Sequence, residues 1–406
     1  MQDTDTSSKD FEIKSSKSYK ANIYKYYIFS FIMGIHTVRG VYFAYMTDWG
    51  RLTFFEIMAL QSYFMFVIFL FEIPSGAIAD YVGRKITLIL SSICVINAAF
   101  IYSIVPNILL FVLAETLWAL SLALSSGTNE AFLYSSLKSY GETKKLSKIQ
   151  GNNQMLNLIA LTLSAPLGSI IAEYISLQFT MTCLGLIYIG TFIVALTFKE
   201  PPFRKKESER KNYLIIIKQG FLELKNNKIL SILCFDRLFI NVLIFLLFWT
   251  YQPYLQSLGV PLVLWGFITA GMNITNALFS FIIPRILNKV KSKIKFLIII
   301  DIINGITFFL MGFIYNPIIG IILILLIVAF GYPRFLIYIN GINRQIKADE
   351  RATVLSTINM FNSFFMAIVN LIIGIIGTIN ISYVFIAIGI AIILFTLFSR
   401  MKNEYL

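Results

Sequence analysis

The sequence has few charged residues and three scattered cysteines. Charged side chains make up 14% of its 406 residues, against about 25% in an average globular domain. The cysteines lack the close spacing that a zinc or redox site needs. The chain also lacks the Gly-x-x-x-x-Gly-Lys-Ser/Thr element that cradles nucleotide phosphates, which argues against direct use of ATP. We therefore expect no metal, no cofactor and no enzymatic activity.

The N-terminal region lacks the apolar stretch of a secretory signal peptide. Residues 1–20 are rich in Ser, Lys and Asp, so we expect no cleavable signal and a tail on the cytosolic side.

Apolar residues, by contrast, are abundant along the whole chain. They make up 57% of it, aromatic residues make up 15%, and the mean hydropathy is +0.77. One membrane anchor on a soluble domain would not give this average. The net charge of +13 could indicate a nucleic-acid partner, but the basic residues lie in short loops rather than on one face of a soluble fold. The sequence predicts a lipid bilayer as the partner and no nucleic acid.

Twelve apolar segments are long enough to cross a bilayer, which takes about 20 residues in a helix. We number them as spans 1 to 12. They are predicted at 22–46, 54–80, 86–105, 107–135, 152–175, 178–198, 229–255, 261–287, 295–315, 317–343, 352–377 and 379–399.

The basic residues fix the predicted orientation of these spans. Of the 34 lysines and arginines, 30 lie in the N-terminal tail, in the C-terminal end or in the loops after even-numbered spans. Because basic loops stay on the cytosolic side, both termini are predicted to be cytosolic. The Lys-, Ile- and Asn-rich composition and the short loops indicate the cytoplasmic membrane of a prokaryote.

A polar stretch divides the spans into two sets of six. It begins at Lys199 and contains Pro201 and Pro202. The predicted domains are 1–198, a linker at 199–228 that ends in a helix on the membrane surface, and 229–406. Shifting the sequence by about 208 residues superposes the starts of spans 5 and 11, a pattern typical of parallel six-helix repeats.

The loop after span 2 carries the strongest motif. Gly76, Asp80, Gly83, Arg84 and Lys85 stand in the pattern Gly-x-x-x-Asp-x-x-Gly-Arg-Lys. This resembles the signature loop of the major facilitator superfamily. The resemblance implies an all-α membrane protein, with twelve transmembrane helices in two six-helix bundles, that works as a monomer.

The same resemblance implies a gating role for the motif. Asp80 is expected to accept hydrogen bonds from the first amides of span 11 and to pair with Arg84, which latches the two halves on the cytosolic side. The alternative is a basic loop that only sets topology. Tyr81 departs from the basic residue usual in the family and weakens one cationic contact.

A weaker resemblance lies in span 5. The stretch at 164–169, with Pro166 and Gly168, is similar to the Gly-Pro-x-x-Gly-Gly element of superfamily exporters that work by antiport. Pro166 alone could equally kink the helix. Exporters of this kind often carry an arginine early in span 4, where this chain has Glu115, so the role of that arginine cannot be transferred.

Ionisable residues inside membrane spans usually face a cavity or a partner, because inserting each one costs about 2.5–3.5 kcal/mol. Arg39 in span 1 and Glu115 in span 4 are predicted at the same depth, where they could pair at a cavity wall or form a static ion pair. Glu72 in span 2 could carry a proton or make a helix contact beside Pro74.

The second half has its own intramembrane charges. Asp236 and Arg237 in span 7 and Arg334 in span 10 are predicted at comparable depth. They could form a gate on the cytosolic side or a structural pair. Asp301 in span 9 is expected to have only a packing role.

These features predict a secondary transporter that exchanges protons for a small molecule by alternating access. The sequence favours export of amphipathic or drug-like compounds, from the span 5 element and the carboxylates of spans 2 and 4. One alternative is uptake or facilitated diffusion of an anionic metabolite bound by Arg39, Arg237 or Arg334. Another is a receptor on the same fold that transports nothing.

Overall fold

A computed structural model describes residues 3–201, 221–346 and 351–406. Side chains are described from residue 19 onward, except at 72–74, 76–77, 80, 339–340 and 351–353. All regular structure within these ranges is helical, as the apolar segments predict. Most of the predicted surface helix of the linker falls on 202–220, outside the described residues.

Spans 2 to 12 follow the predicted segments closely. Eleven of the described helices are long and apolar enough to cross a membrane. Their helical segments are Phe54–Val82, Arg84–Ile104, Ile108–Lys138, Leu146–Tyr174, Leu177–Thr197, Lys228–Phe245 with Leu247–Ser257, Leu262–Leu287, Lys293–Met311, Pro317–Gly331 with Phe335–Gln345, Arg351–Ile379 and Ile381–Phe398.

Span 1 differs from its prediction. A single helix at 22–46 is wrong, because the first helix covers Asp3–Gly34 and then stops. The chain continues as a 3₁₀ turn at Arg39–Val41, a short α-helical turn at Tyr42–Ala44 and a π-helical turn at Tyr45–Trp49.

Asparagine and serine side chains fix where several spans begin. In each case the side-chain oxygen accepts a hydrogen bond from a backbone N–H of the first turn, which would otherwise lack a partner. The capping residues are Asn107, Asn227, Ser292, Asn316 and Asn380. The five capped starts lie within two residues of the predicted ones.

The chain divides into two compact units. Unit 1 comprises Met1–Thr37, Leu70–Ser164 and Phe179–Arg210, and unit 2 comprises Val38–Phe69, Ala165–Gln178 and Lys211–Leu406. The break in span 1 therefore coincides with a unit boundary. The division into two six-span bundles stays a prediction.

Small polar residues hold neighbouring spans together within unit 1. The hydroxyl of Ser121 in span 4 donates to the backbone oxygen of Ser91 in span 3 at 2.8 Å, and the Ser91 hydroxyl contacts Ser121 in return at 3.0 Å. Both residues are buried. Reciprocal serine contacts of this kind let two helix backbones approach closely in a membrane.

Candidate functional site

The break in span 1 is supported by hydrogen bonds from remote helices. The backbone N–H of His36 donates to the Ser164 hydroxyl of span 5 at 2.9 Å. The Thr37 hydroxyl donates to the backbone oxygen of Thr180 at 2.7 Å. Broken backbone at membrane depth is tolerated only where such partners, or a water-filled cavity, satisfy it. Unit 1 therefore stabilises the first half of the break.

In unit 2, one side chain binds the backbone on the other side of the break. The Gln252 amide nitrogen of span 7 donates to the backbone oxygen of Arg39 at 2.8 Å and to the Tyr251 hydroxyl at 2.7 Å. Its amide oxygen accepts from the N–H of Phe43 at 2.7 Å. Gln252 is 4% exposed, so this buried amide uses its donors and its acceptor together.

Aromatic rings surround this contact. The guanidinium carbon of Arg39 lies 4.7 Å from the ring centroid of Phe248. The Trp249 ring lies 4.6 Å from Phe248 and 5.8 Å from Tyr42. The side chains of Tyr42, Phe248, Trp249 and Gln252 line a small cavity together with two apolar neighbours. The site therefore combines aromatic faces, one amide and one cation.

Glu115 is buried in unit 1 with a defined partner. It is 4% exposed and accepts a hydrogen bond from the Tyr102 hydroxyl of span 3 at 2.5 Å. One turn along span 4, Trp118 lies 5.5 Å from the His36 ring. Arg39 belongs to unit 2, and its pairing with Glu115 stays a prediction.

Several buried polar atoms have no hydrogen-bond partner among the described residues. They are the side-chain oxygens of Asn129 and Asn153, the indole nitrogen of Trp249, the amide nitrogen of Asn273 and both amide atoms of Asn304 and Asn370. Native proteins leave few such atoms, and each calls for an explanation. These buried polar atoms are therefore candidates for contacts with a bound molecule.

Asp236, Asp301 and Arg334 form one buried cluster of charges in unit 2. Arg334 donates to both carboxylate oxygens of Asp301 at 2.6 and 3.0 Å, and to Asp236 at 3.0 Å. Tyr338 also donates to Asp236, and Ser399 donates to its other oxygen at 2.5 Å. The expectation that Asp301 only packs is wrong, because it is the bidentate partner of Arg334.

Arg237 lies beside this cluster without joining it. Its side chain is half-buried, and it makes no hydrogen bond or ion pair within the part of the chain that the structure describes. The sequence predicted the shared depth of Asp236, Arg237 and Arg334 but not which of the two arginines binds the acids. Arg334 does so from the last position of a 3₁₀ turn at Tyr332–Arg334 in span 10.

The signature loop has a tight turn followed by a capped helix start. Gly83 has φ +99°, a value that favours glycine. The backbone N–H groups of Arg84 and Lys85 donate to the Glu200 carboxylate at 2.9 and 2.8 Å. The Arg84 guanidinium also donates to the hydroxyl of Ser135. Sequence reasoning missed Glu200, because it lies 116 residues beyond Arg84 and no local pattern connects the two. A carboxylate at the first amides of a helix is favourable.

The side chains of Glu72 and Asp80 lie outside the described residues. Their backbone belongs to span 2, as does that of Gly76. The predicted proton carrier and the predicted latch to span 11 therefore stay predictions.

The span 5 element lies in a close helix contact in unit 2. Pro166 is inside the helix Leu146–Tyr174, and Gly168 is buried. The Ser169 hydroxyl donates to the backbone oxygen of Val263 at 2.7 Å. A Cβ atom on Gly266 of span 8 would lie 2.1 Å from the backbone oxygen of Ala165. Whether the element works in antiport or only kinks the helix stays open.

Comparison with known proteins gives one family match and several structural neighbours. Residues 26–342 match the family model described as Major Facilitator Superfamily. The chain is 24% identical over 245 residues to an uncharacterized MFS-type transporter, YxaM, of Bacillus subtilis (strain 168), an alignment that covers 59% of each chain.

Solved structures share the fold at lower identity. The nucleoside transporter NupG is 16% identical, with a TM-score of 0.77 over 94% of this chain and 100% of that one. A mutant form of NupG gives 0.79 at 14% identity, over 93% and 98%. The D-xylose-proton symporter gives 0.72 at 12% identity, over 96% and 100%.

The family match spans most of the chain, and the fold, the helical spans and the signature loop agree with it. The protein is a multi-pass membrane transporter rather than an enzyme, and it belongs to the major facilitator superfamily.

Proposed function

We propose that the protein takes up a small polar solute by alternating access, with protons as the coupling ion. The observation that carries this proposal is the break in span 1 between Gly34 and Arg39. In secondary transporters, discontinuous helices near the middle of the membrane form the solute and ion sites. Here the break is bound by side chains of other spans, Ser164 and Gln252, so it is a specified feature of the fold.

The chemistry of the buried side chains supports a neutral, polar solute. Asn273 and Asn370 present amide atoms without partners in unit 2, and Asn129 and Asn153 do so in unit 1. Amides recognise hydroxyl groups and heterocycle edges, and aromatic faces pack against rings. Nucleosides and sugars combine both features. They are also the solutes named for the structural neighbours NupG and the D-xylose-proton symporter.

The experiment is solute counterflow in proteoliposomes. The panel contains nucleosides, pentoses, hexoses, carboxylates and cationic dyes, and we expect flux with a nucleoside or a sugar. No flux with any member would overturn the carrier proposal and favour the receptor alternative.

A pair of variants tests the site. Gln252→Leu removes three hydrogen bonds worth about 1 kcal/mol each, so we expect flux to fall by about 100-fold. Gln256→Leu, one turn along the same helix and exposed, is the matched control and should keep its flux. Equal flux in both variants would contradict the role given to the break.

Export of amphipathic compounds by antiport is the second candidate. The observation in its favour is the packing of the antiport-like element, where Ala165 and Ser169 contact span 8 at Gly266 and Val263. Flux of cationic dyes driven by an opposing proton gradient, with no nucleoside or sugar flux, would favour export. The reverse result would favour uptake.

A further inference from the structure

The cluster around Arg334 holds more negative than positive charge in its hydrogen-bonded part. Asp236 and Asp301 each contribute one carboxylate, and Arg334 contributes the one guanidinium that binds both. All three residues are at most 4% exposed. With both acids ionised, the bonded groups carry a net charge of −1 in a site from which water is excluded.

A buried excess charge of this kind favours the uptake of one proton. An uncompensated ion in the protein interior is strongly unfavourable, so such groups take up or lose a proton instead. Two buried carboxylates bonded to a single guanidinium leave one negative charge in the cluster without a bonded counter-ion. A proton on either acid would make the bonded cluster neutral.

One hydroxyl group, that of Ser399, links Asp236 to the end of span 12. Ser399 follows the last helical residue of that span, is half-buried and donates to Asp236. The next residue, Arg400, is exposed. Tyr338 donates to Asp236 from the other side and accepts from Arg334. The Ser399 hydroxyl is therefore the group that lies between Asp236 and the exposed end of span 12.

The counter-ion of the pair sits at a hinge. Arg334 is the last residue of the 3₁₀ turn that separates Pro317–Gly331 from Phe335–Gln345 in span 10. A 3₁₀ stretch in the middle of a helix marks a position that can change conformation. Any change in this turn moves the guanidinium relative to Asp236 and Asp301, and so changes how strongly the pair holds a proton.

We propose that the Asp236–Asp301 pair is the site of the coupling proton and that Arg334 is its movable counter-ion. Besides Asp236, Asp301 and Arg334, the titratable groups that face the cluster among the described residues are Cys234 and Arg237 on span 7 and Tyr338 on span 10. The proposal rests on the proposed function for its role in coupling. The binding of the proton itself does not depend on a solute.

The first experiment measures coupling with Asp301→Asn and Asp236→Asn in proteoliposomes. Each variant fixes the bonded cluster in its neutral, proton-bound form. Accumulation driven by a pH gradient should fall far more than counterflow, which needs no net proton movement. We expect the ratio of accumulation to counterflow to drop by at least about tenfold, within the usual range of 5- to 150-fold for coupling between two sites.

The matched control is Glu142→Gln, which neutralises an exposed acid paired with Lys145 and should leave the ratio at the wild-type value. Loss in either aspartate variant supports the proposal and identifies the acid that binds the proton. An unchanged ratio in both would overturn it, as would an equal loss of accumulation and counterflow in both, which indicates a structural role.

The second experiment needs no solute and follows the carboxylic-acid C=O band in the infrared spectrum of the purified protein. The wild-type band should grow on acidification at a pH where exposed carboxylates stay ionised, and it should be lost in at least one of the two variants. The same band in wild type and in both variants would overturn the proposal. If the wild type transports nothing but shows this band, the proposed function fails and the proton site stands.

Discussion

The close contact between spans 5 and 8 predicts that the substitution Gly266→Ala impairs transport. The added Cβ would lie 2.1 Å from the backbone oxygen of Ala165 and 2.4 Å from the Ser169 hydroxyl. The Ser169 hydroxyl can rotate away, but the closer atom belongs to the backbone and no side-chain rotation avoids it. Overpacking of this kind costs about 1–3 kcal/mol.

This cost raises the free energy of the conformation in which spans 5 and 8 touch. A penalty of about 1–3 kcal/mol lowers the ratio of that conformation to the others by about 5- to 150-fold. If the transport cycle passes through it, counterflow should fall by a similar factor. Gly271→Ala is the matched control in the same helix, because its Cβ would meet only one side-chain atom, at 3.9 Å.

The assay compares counterflow and melting temperature for the two variants. We expect Gly271→Ala to transport within about twofold of wild type, since surface-like changes cost less than about 0.5 kcal/mol. Wild-type counterflow in Gly266→Ala would refute the view that transport requires this contact.

Three further predictions concern single contacts. Gly83→Ala places a Cβ at φ +99° and should destabilise the protein by about 1–3 kcal/mol, measured as a lower melting temperature, whereas Gly127→Ala, with open space around it, should not. Glu200→Gln weakens two charge-assisted bonds to the start of span 3 and should cost about 1 kcal/mol; undiminished hydrogen-exchange protection of those amides would contradict this. Tyr102→Phe leaves Glu115 without this donor and should cost about 1–3 kcal/mol in chemical unfolding, and an unchanged midpoint would disprove it.

Local sequence signals predict the span boundaries well. Asparagine or serine caps begin several spans, and Gly83 marks the turn between spans 2 and 3. These signals act within a few residues of the boundary, so they can be read from the sequence alone. The observed starts of spans 4 and 10 lie within a residue of their predictions.

The break in span 1 could not be predicted in this way. Residues 35–38 read Ile-His-Thr-Val between Gly34 and Gly40 and contain no proline. Glycine is common within membrane helices, so these residues alone do not predict a break. The partners that make the break stable are Ser164 and Thr180 in unit 1 and Gln252 in unit 2. Each is remote in sequence from the residue it bonds. The sequence signal for Gln252, a polar amide within an apolar span, is visible but does not identify its partner.

The charge cluster was likewise predictable only in part. Depth along each helix places Asp236 and Arg334 at one level, and the sequence supports that grouping. It does not give the rotation of span 9, which turns Asp301 toward Arg334. The expectation for Asp301 was wrong because the sequence does not show which face of span 9 packs against span 10.

Solute-driven proton movement tests the central claim most directly. Proteoliposomes loaded with a pH-sensitive dye receive an outside pulse of the nucleoside or sugar that shows counterflow, with no imposed gradient. A proton-coupled importer predicts acidification of the lumen that follows solute entry and disappears when a proton ionophore is added. Entry of the solute with no change in luminal pH would contradict it.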